Sequence, residues 1–467
     1  MSVEADGLVG LPVVVLGAGP VGLAAAAHLA ERGVDFVVLE AGGEVGASVR
    51  EWGQVRVFSP WRFNVDGAAR RLLAAEGWQE PDPDGLPTGH DLVDEYLAPL
   101  AKLPRIAPYV RLGHRVTGIS RAGVDRVRTR GRESAPFVVR ARSDAGVVQL
   151  RARAVIDASG TWRTPNALGS GGLPALGEPE AARFVSAALP DVQGADRDAF
   201  AGKRTLVVGA GHSAANTLLA LAQLAQQAPG TEVLWAIRST GAQRTYGGQD
   251  ADALPARGAL GSRLRALVDS GRVELLAGFG IDALAVAGDR VSATAVDGRA
   301  VLVDRIVSAT GFRPDHAIAS ELRLDLDPVL EASRALAPLI DPNEHSCGTV
   351  PPHGEAELAH PEPGYYLVGM KSYGRAPTFL MATGYEQVRS VVAFLDGDLE
   401  AAAEVHLELP ETGVCNSDPD ASLGTSGCCG APEPAFAARG PATGIAGGLL
   451  AVPLPLIEAS PSGSGCC

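Results

Sequence analysis

Two glycine clusters are the residues whose types and spacing most directly imply chemistry: Gly17-Ala18-Gly19-Pro20-Val21-Gly22 and Gly209-Ala210-Gly211-His212-Ser213-Ala214. Each follows a short Val/Leu run and opens a helix-patterned stretch, the strand, turn and helix order of a dinucleotide fingerprint. In the first, one glycine permits the tight turn, the second lets backbone approach a pyrophosphate, and the third lets helix pack on strand. The helix N-terminus then faces the phosphates. Glu40 ends the next strand about 20 residues on, where a carboxylate accepts hydrogen bonds from both hydroxyls of an unphosphorylated ribose. The second cluster's following strand, Val233 to Ile237, ends instead in Arg238-Ser239-Thr240. An acid there would repel a 2′-phosphate, whereas arginine beside hydroxyls binds one, so NADPH is expected over NADH.

Thiols form the third chemical feature. Cys347 stands alone, while Cys415, Cys428, Cys429, Cys466 and Cys467 all fall in the last 53 residues. The two vicinal pairs are flanked by Gly and Ser, and soft thiolates prefer soft metals and metalloids. Those five are the candidate metalloid ligands; Cys347, Cys428 and Cys429 are the candidate catalytic thiols. A secreted disulfide scaffold would spread its cysteines through the fold, so reduced thiols in the cytoplasm are expected. His345, Cys347, His353 and His360 match no familiar zinc spacing and read as a polar loop. No triad or carboxylate pair stands out.

The elements that must position these groups follow from pattern. The chain has 467 residues, 46% hydrophobic and 20% charged, enough for a large two-domain enzyme core. Its net charge of −14 repels phosphate backbones and argues against nucleic acid. No run of 18 apolar residues and no charged leader occurs, so no membrane partner is expected. Lys102, Lys203 and Lys371 are the three lysines among 40 basic residues, a compositional bias that cautions against giving every arginine a role.

Val13–Leu16, a helix through Arg32 and Phe36–Leu39 form the first β-α-β unit. From His114 to Ile119, including Val116, then Phe137 to Arg142 and Val147 to Arg151, alternation predicts a β-meander leading into the strand Ala154–Asp157 and the crossover Ala158-Ser159-Gly160. Thr205–Val208 and a helix to Gln227 repeat the unit. A strand Val301–Val307 closes it at Ala309-Thr310-Gly311-Phe312, after which Gly364–Gly369 adds a strand. Pro377 suits the first turn of a helix running to Leu395. The expected fold is α/β: two Rossmann-like dinucleotide-binding domains, the second inserted in the first. The boundaries are 1–195, 196–325 and 326–405, with a flexible tail over 406–467, where Gly and Pro fill 18 of 62 positions and leave too little to build a core.

This arrangement resembles the two-dinucleotide-binding flavoproteins over about residues 12–400. The resemblance implies FAD on the first fingerprint, held by Gly17, Gly19, Pro20, Gly22, Glu40, Val116, Ala158, Ser159, Gly160, Gly369, Ala376, Pro377 and Thr378. It implies NADPH on the second, held by Gly209, Gly211, His212, Ser213, Ala214, Arg238, Ser239, Thr310 and Gly311. The helix after Pro377 would aim its dipole at the flavin, and Pro60-Trp61-Arg62-Phe63-Asn64 is a candidate flavin-facing segment, although Trp61 and Phe63 also suit a core.

Within that group, Gly209 to Ala214 and Ala309 to Phe312 resemble the motifs of the flavin-containing monooxygenases, but the FxGxxxH signature of that branch is missing around Phe184-Val185-Ser186. Thioredoxin-reductase relatives carry a CxxC, and none occurs here. The runs His345 to Gly354, Gly369 to Phe379 and Leu409 to Cys415 are similar to the ArsO-like flavoproteins of bacterial arsenic-resistance operons. That resemblance implies an NADPH-oxidising monooxygenase using O2 on a trivalent arsenical or similar small thiophilic substrate. The tail pairs resemble the C-terminal dithiol of mercuric reductases, which keeps two alternatives open: a disulfide or metalloid reductase, and a metalloid-sequestering flavoprotein with slow NADPH oxidase activity. The reading allows a homodimer.

Overall fold

The computed structural model describes residues 8–247, 255–342, 350–377 and 379–407. Cys347, Thr378, Cys415, Cys428, Cys429, Cys466, Cys467 and the expected tail from 408 onward lie outside the described residues. The chain divides into the units Met1–Ser417 and Asp418–Cys467, and everything described belongs to the first.

β1 (Val13–Leu16) is buried along its whole length and leads into the helix Pro20–Arg32. Proline at the first helical position gives up an N–H that would have no partner there. Gly33 ends the helix in the left-handed region at φ +68, a conformation that needs no Cβ. β2 (Phe36–Leu39) then pairs parallel with β1, Val13 opposite Phe36 and Leu16 opposite Leu39. β3 (Val110–Arg111) adds beside β2.

An antiparallel meander follows in β4 (Arg115–Arg121), β5 (Phe137–Ser143) and β6 (Gly146–Ala152), and it delivers β7 (Ala154–Asp157) to the other side of β1. These strands match the expected meander. Their neighbours in the parallel sheet are continuous Val, Ile and Leu runs because helices and meander cover both faces.

β8 (Val185–Ser186) and β9 (Arg204–Val208) begin a second sheet, and the helix His212–Gln227 returns the chain to β10 (Glu232–Ala236). The helix Pro255–Asp269 connects to β11 (Glu274–Leu276). A second meander, β12 (Ile281–Ala287), β13 (Arg290–Ala295) and β14 (Ala300–Val303), precedes β15 (Arg305–Ser308). The sheet order is β11-β10-β9-β15-β8, parallel throughout. β16 (Tyr365–Leu367) then completes the first sheet as β16-β7-β1-β2-β3. The helix Met381–Leu395 packs its Val388, Val391 and Val392 into the core shared with Leu23 and Ala27 of the first fingerprint helix.

Two sequence expectations are corrected. The run Val301–Val307 is two strands broken at Asp304, whose carboxylate accepts the Arg204 N–H at 2.7 Å; β14 belongs to the meander and β15 to the parallel sheet. An apolar run does not reveal such a change of partner. The C-terminal helix starts at Met381, leaving Pro377 exposed ahead of it. β8 and the buried Leu168, Ala175 and Phe184, all ahead of residue 196, pack with the second sheet.

The two chain crossings between the cores lie against each other as an antiparallel ribbon. Asn166 N–H donates to Gly311 O (2.9 Å), Arg313 N–H to Thr164 O (3.0 Å), and Pro165 opposes Phe312. The Asn166 side chain donates to Thr310 O (3.0 Å) and accepts from Arg313 Nε (2.9 Å). Trp162 and Phe312 pack with ring centroids 4.9 Å apart.

Candidate functional site: two dinucleotide turns

Gly17, Glu40 and Asp157 end or follow neighbouring parallel strands, which brings them to one carboxyl edge of the first sheet, where open α/β sheets hold ligands. Gly17 has φ +93, and a Cβ on it would stand 2.8 Å from Ala158 O. A Cβ on Gly22 would stand 2.0 Å from Gly17 O, so turn and helix touch backbone to backbone. Around Gly19, by contrast, a Cβ would meet nothing within 4 Å. The turn is closed on its inner side and open at its middle glycine, the shape that lets a pyrophosphate approach main-chain N–H groups.

Glu40 does more than the sequence suggests. Its Oε2 accepts the Ala18 N–H (2.7 Å) and its Oε1 the Gly42 N–H (2.7 Å), so the carboxylate braces the fingerprint turn itself. Each oxygen retains a second lone pair for a ribose hydroxyl. Gly369, at φ +68, lies against Val21, whose side chain a Cβ would meet at 3.2 Å. The C-terminal part of the chain therefore returns to the first turn of the fingerprint helix. Ala376 is buried and Pro377 exposed near the same return.

Val116 sits on β4 opposite Ala141 and packs on the core containing Val14 and Leu39. The Pro60–Asn64 segment is a turn that buries Pro60, Trp61 and Asn64 and leaves Arg62 exposed: Trp61 is 4% exposed, Asn64 Nδ2 donates to Ser59 O (2.7 Å), and Tyr385 Oη donates to Asn64 O (2.8 Å).

Sequence reasoning missed the ionic centre of this edge. Lys371 Nζ donates to Asp157 Oδ2 (2.8 Å) and to Ser159 Oγ (3.1 Å), and Tyr365 Oη donates to the same Oδ2 (3.0 Å). Burial alone would raise the Asp157 carboxyl, but the Lys371 ammonium and the Ser159 donors overcome it and hold the group below the usual carboxylate range. The signal available in the sequence was the scarcity of lysine. Ala158 N–H donates to Leu16 O (3.0 Å), and Gly160, at φ +71, faces open space.

The second turn repeats the first, with alanine in place of the glycine that packs helix on turn. Gly209 has φ +135, and its Cβ would stand 2.0 Å from Ala309 O, as Gly17 is wedged against Ala158. Gly211 is exposed and open, Ser213 is half-buried, and Ala214 is buried where the first turn has Gly22. His212 is exposed, its ring 5.0 Å from that of Phe58. Arg238 and Ser239 are exposed beyond β10; Arg238 Nη1 donates to Ser170 O (3.0 Å) and Ser239 Oγ to Gly241 O (2.8 Å). Thr310 and Gly311 belong to the crossover ribbon, where Thr310 Oγ1 donates to Asn166 O (2.7 Å).

All six cysteines named as candidate thiols lie outside the described residues. Among the described residues, no group of three or more His, Cys, Asp or Glu could hold a metal ion. His353 is a hydrogen-bonded core residue, with Nδ1 3.1 Å from Pro351 O and Nε2 3.0 Å from Gln387 Nε2. No helix among the described residues is long and apolar enough to cross a membrane.

Residues 14–347 match the family described as pyridine nucleotide-disulphide oxidoreductase. No curated protein matches the sequence. Among solved structures, bacillithiol disulfide reductase Bdr (YpdA) from Bacillus cereus is similar at 17% identity and TM-score 0.62, covering 83% of this chain and 99% of that one. DfoA, the FAD-bound cadaverine monooxygenase of desferrioxamine biosynthesis from Erwinia amylovora, is similar at 14% identity and TM-score 0.58, covering 85% and 97%. A flavin-containing monooxygenase from Stenotrophomonas maltophilia is similar at 20% identity and TM-score 0.51, covering 82% and 99%. At such identities the shared property is the fold.

Proposed function

The chain belongs to the pyridine nucleotide-disulphide oxidoreductase family, and from that premise we propose an FAD-dependent, NADPH-oxidising monooxygenase acting on a trivalent arsenical or another small thiophilic substrate. The observation that carries the cofactor assignment is the contrast between the two turns: an anchored carboxylate, Glu40, closes the first, and an exposed arginine with a hydroxyl neighbour, Arg238 and Ser239, closes the second. The first turn fits FAD, since Gly19 leaves the backbone face open and Glu40 keeps lone pairs for the ribose.

Bound there, FAD would accept a hydride from NADPH and pass electrons to O2, one oxygen atom going to substrate and the other to water. The protein's own work is to bind and orient. Gly17 to Gly22 hold a pyrophosphate against the helix N-terminus, and Glu40 fixes the ribose and the turn together. Gly209 to Ala214 receive the nicotinamide nucleotide, and Arg238 recognises its 2′-phosphate through a guanidinium with donors to spare. The lack of any CxxC favours oxygen over a flavin-stacked disulfide as electron acceptor. The substrate class rests on the similarity of the Gly369–Phe379 run to ArsO-like flavoproteins and on the soft thiols of the tail.

Oxygen bookkeeping tests this reading. NADPH oxidation, O2 uptake and H2O2 release are measured with and without arsenite or methylarsenite, with 18O2 tracing the product. The expected result is faster NADPH oxidation, less H2O2 and 18O in the product. Anaerobic NADPH oxidation with new thiols overturns it in favour of the reductase reading, which the vicinal pairs Cys428-Cys429 and Cys466-Cys467 motivate. Truncation after residue 407 is expected to spare FAD binding while slowing substrate turnover, and an unchanged rate removes the delivery role from the tail.

A further inference from the structure

Of the three lysines among 40 basic residues, Lys102 and Lys203 are exposed, while Lys371 is 2% exposed. In a chain so biased toward arginine, the one buried lysine places a compact ammonium within hydrogen-bond reach of Asp157 and Ser159. Four donors saturate its partner: Lys371 Nζ and Tyr365 Oη reach Asp157 Oδ2, and Ser159 Oγ (2.6 Å) and Ser159 N–H (3.1 Å) reach Oδ1. Among the described residues, two of the lysine's three N–H groups find acceptors, Asp157 and Ser159.

The network joins segments on either side of the inserted second core, residues 157–159 before it and 365–371 after it. It lies at the carboxyl ends of β7 and β16, beside the open Gly160 and two residues from Gly369, which abuts the fingerprint helix.

We propose that Lys371 is a positioning residue of the first dinucleotide site: paired with Asp157, it locks the Ala158–Gly160 turn in its binding shape and sets the electrostatic potential felt by bound FAD. The proposal rests on FAD occupying the first fingerprint. Together the two charges cancel; removing one leaves the other buried without compensation. Flavin gains negative charge on reduction, so the two single neutralisations have opposite consequences. Lys371→Met leaves a carboxylate and lowers the flavin midpoint potential. Asp157→Asn leaves an ammonium and raises it. A merely structural pair would move both variants in the same direction, through loss of stability alone.

The experiment measures FAD affinity by titration of the apoprotein, and midpoint potential by equilibration with redox dyes, for wild type, K371M, D157N and the double variant. Both single variants are expected to bind FAD about tenfold more weakly or worse, with potentials on opposite sides of wild type and the double variant between them. Lys371→Arg is expected to keep the potential nearer to wild type than Lys371→Met does. Tyr365→Phe, which removes one neutral donor from Asp157 and keeps both charges, is least exposed to misfolding; it lowers the potential, and a potential unchanged or raised by it overturns the proposal. Single variants whose potentials move together, or not at all, overturn it as well. Wild-type protein that binds no FAD sinks both the functional reading and this proposal, whereas FAD bound alike by wild type and K371M sinks the proposal alone.

Discussion

The two dinucleotide cores share a four-strand parallel order, β3-β2-β1-β7 and β11-β10-β9-β15, and a glycine turn wedged against a crossover alanine, yet they treat those turns differently. In the first, Glu40 braces the turn through two main-chain N–H groups, Gly369 closes on the fingerprint helix, and a buried ion pair lies at the strand ends. In the second, Gly211, His212, Arg238 and Ser239 are all exposed. The first is built like a site for a resident group and the second like a site for a ligand that comes and goes. Rigid, enclosed surroundings lower the ordering cost of a bound ligand, whereas an open edge permits rapid exchange.

Breaking the brace should have the largest effect. Glu40→Ala removes the acceptor for Ala18 and Gly42 as well as the ribose contact, and is expected to weaken FAD binding about a hundredfold, roughly 3 kcal/mol. NADPH affinity should stay within about twofold of wild type on the scale of a single exposed contact. Titration of apoprotein with each nucleotide reads both values, and equal losses would mean that the cores are not independent.

Acid should also separate them. His212 is the one histidine of the second core, while His316, His353 and His360 are half-buried or buried in the first. Burial depresses His360 to about 4, with the neighbouring His316 adding to the shift. Because this folded-state value lies below that of a free imidazole, the unfolded chain takes up the proton first as pH falls. Stability is therefore retained above about 6.5 and lost as pH drops from there toward about 4. The contribution is at most about 3 kcal/mol. Chemical denaturation at pH 7 and pH 5 should show the loss, and His360→Gln should shrink it; an identical pH slope in the variant would remove His360 from the account.

Gly22 and Ala214 occupy corresponding places, which allows a paired test. A methyl at Gly22 would lie 2.0 Å from Gly17 O, so Gly22→Ala is expected to destabilise by about 2 kcal/mol and to impair FAD retention. The reciprocal Ala214→Gly should cost about 1 kcal/mol through helix propensity alone. Thermal unfolding with and without FAD distinguishes them. Comparable effects would mean that the first core does not require glycine where helix meets turn.

Both fingerprints were legible in the sequence because they depend on local order: apolar strand, glycine turn, helix, then a charged residue at a set distance. The first meander was legible for the same reason, its alternation surviving in β4 to β6. What escaped was tertiary. No periodicity marks Asp304 as the point where one apolar run changes partners, from the meander to the parallel sheet. Pro377 carried a valid helix-start signal, but the helix begins four residues later, at Met381. The Lys371–Asp157 pair spans the entire inserted core, so no motif window contains both residues; the rarity of lysine was its sole trace.

The last predicted effect bears on the second turn. Arg238→Ala is expected to weaken NADPH about tenfold and NADH hardly at all, since the guanidinium would meet a phosphate that NADH lacks. Equal losses would remove the 2′-phosphate role.

The central claim, a resident FAD on the first core and an exchanging NADPH on the second, is tested most directly by anaerobic reduction of the purified protein. Flavin content is measured first, then the rate of flavin bleaching by NADPH and by NADH. The account predicts about one FAD per chain and faster bleaching by NADPH than by NADH, with the preference erased in Arg238→Ala. A protein without flavin, or one bleached equally by both nucleotides, would contradict it.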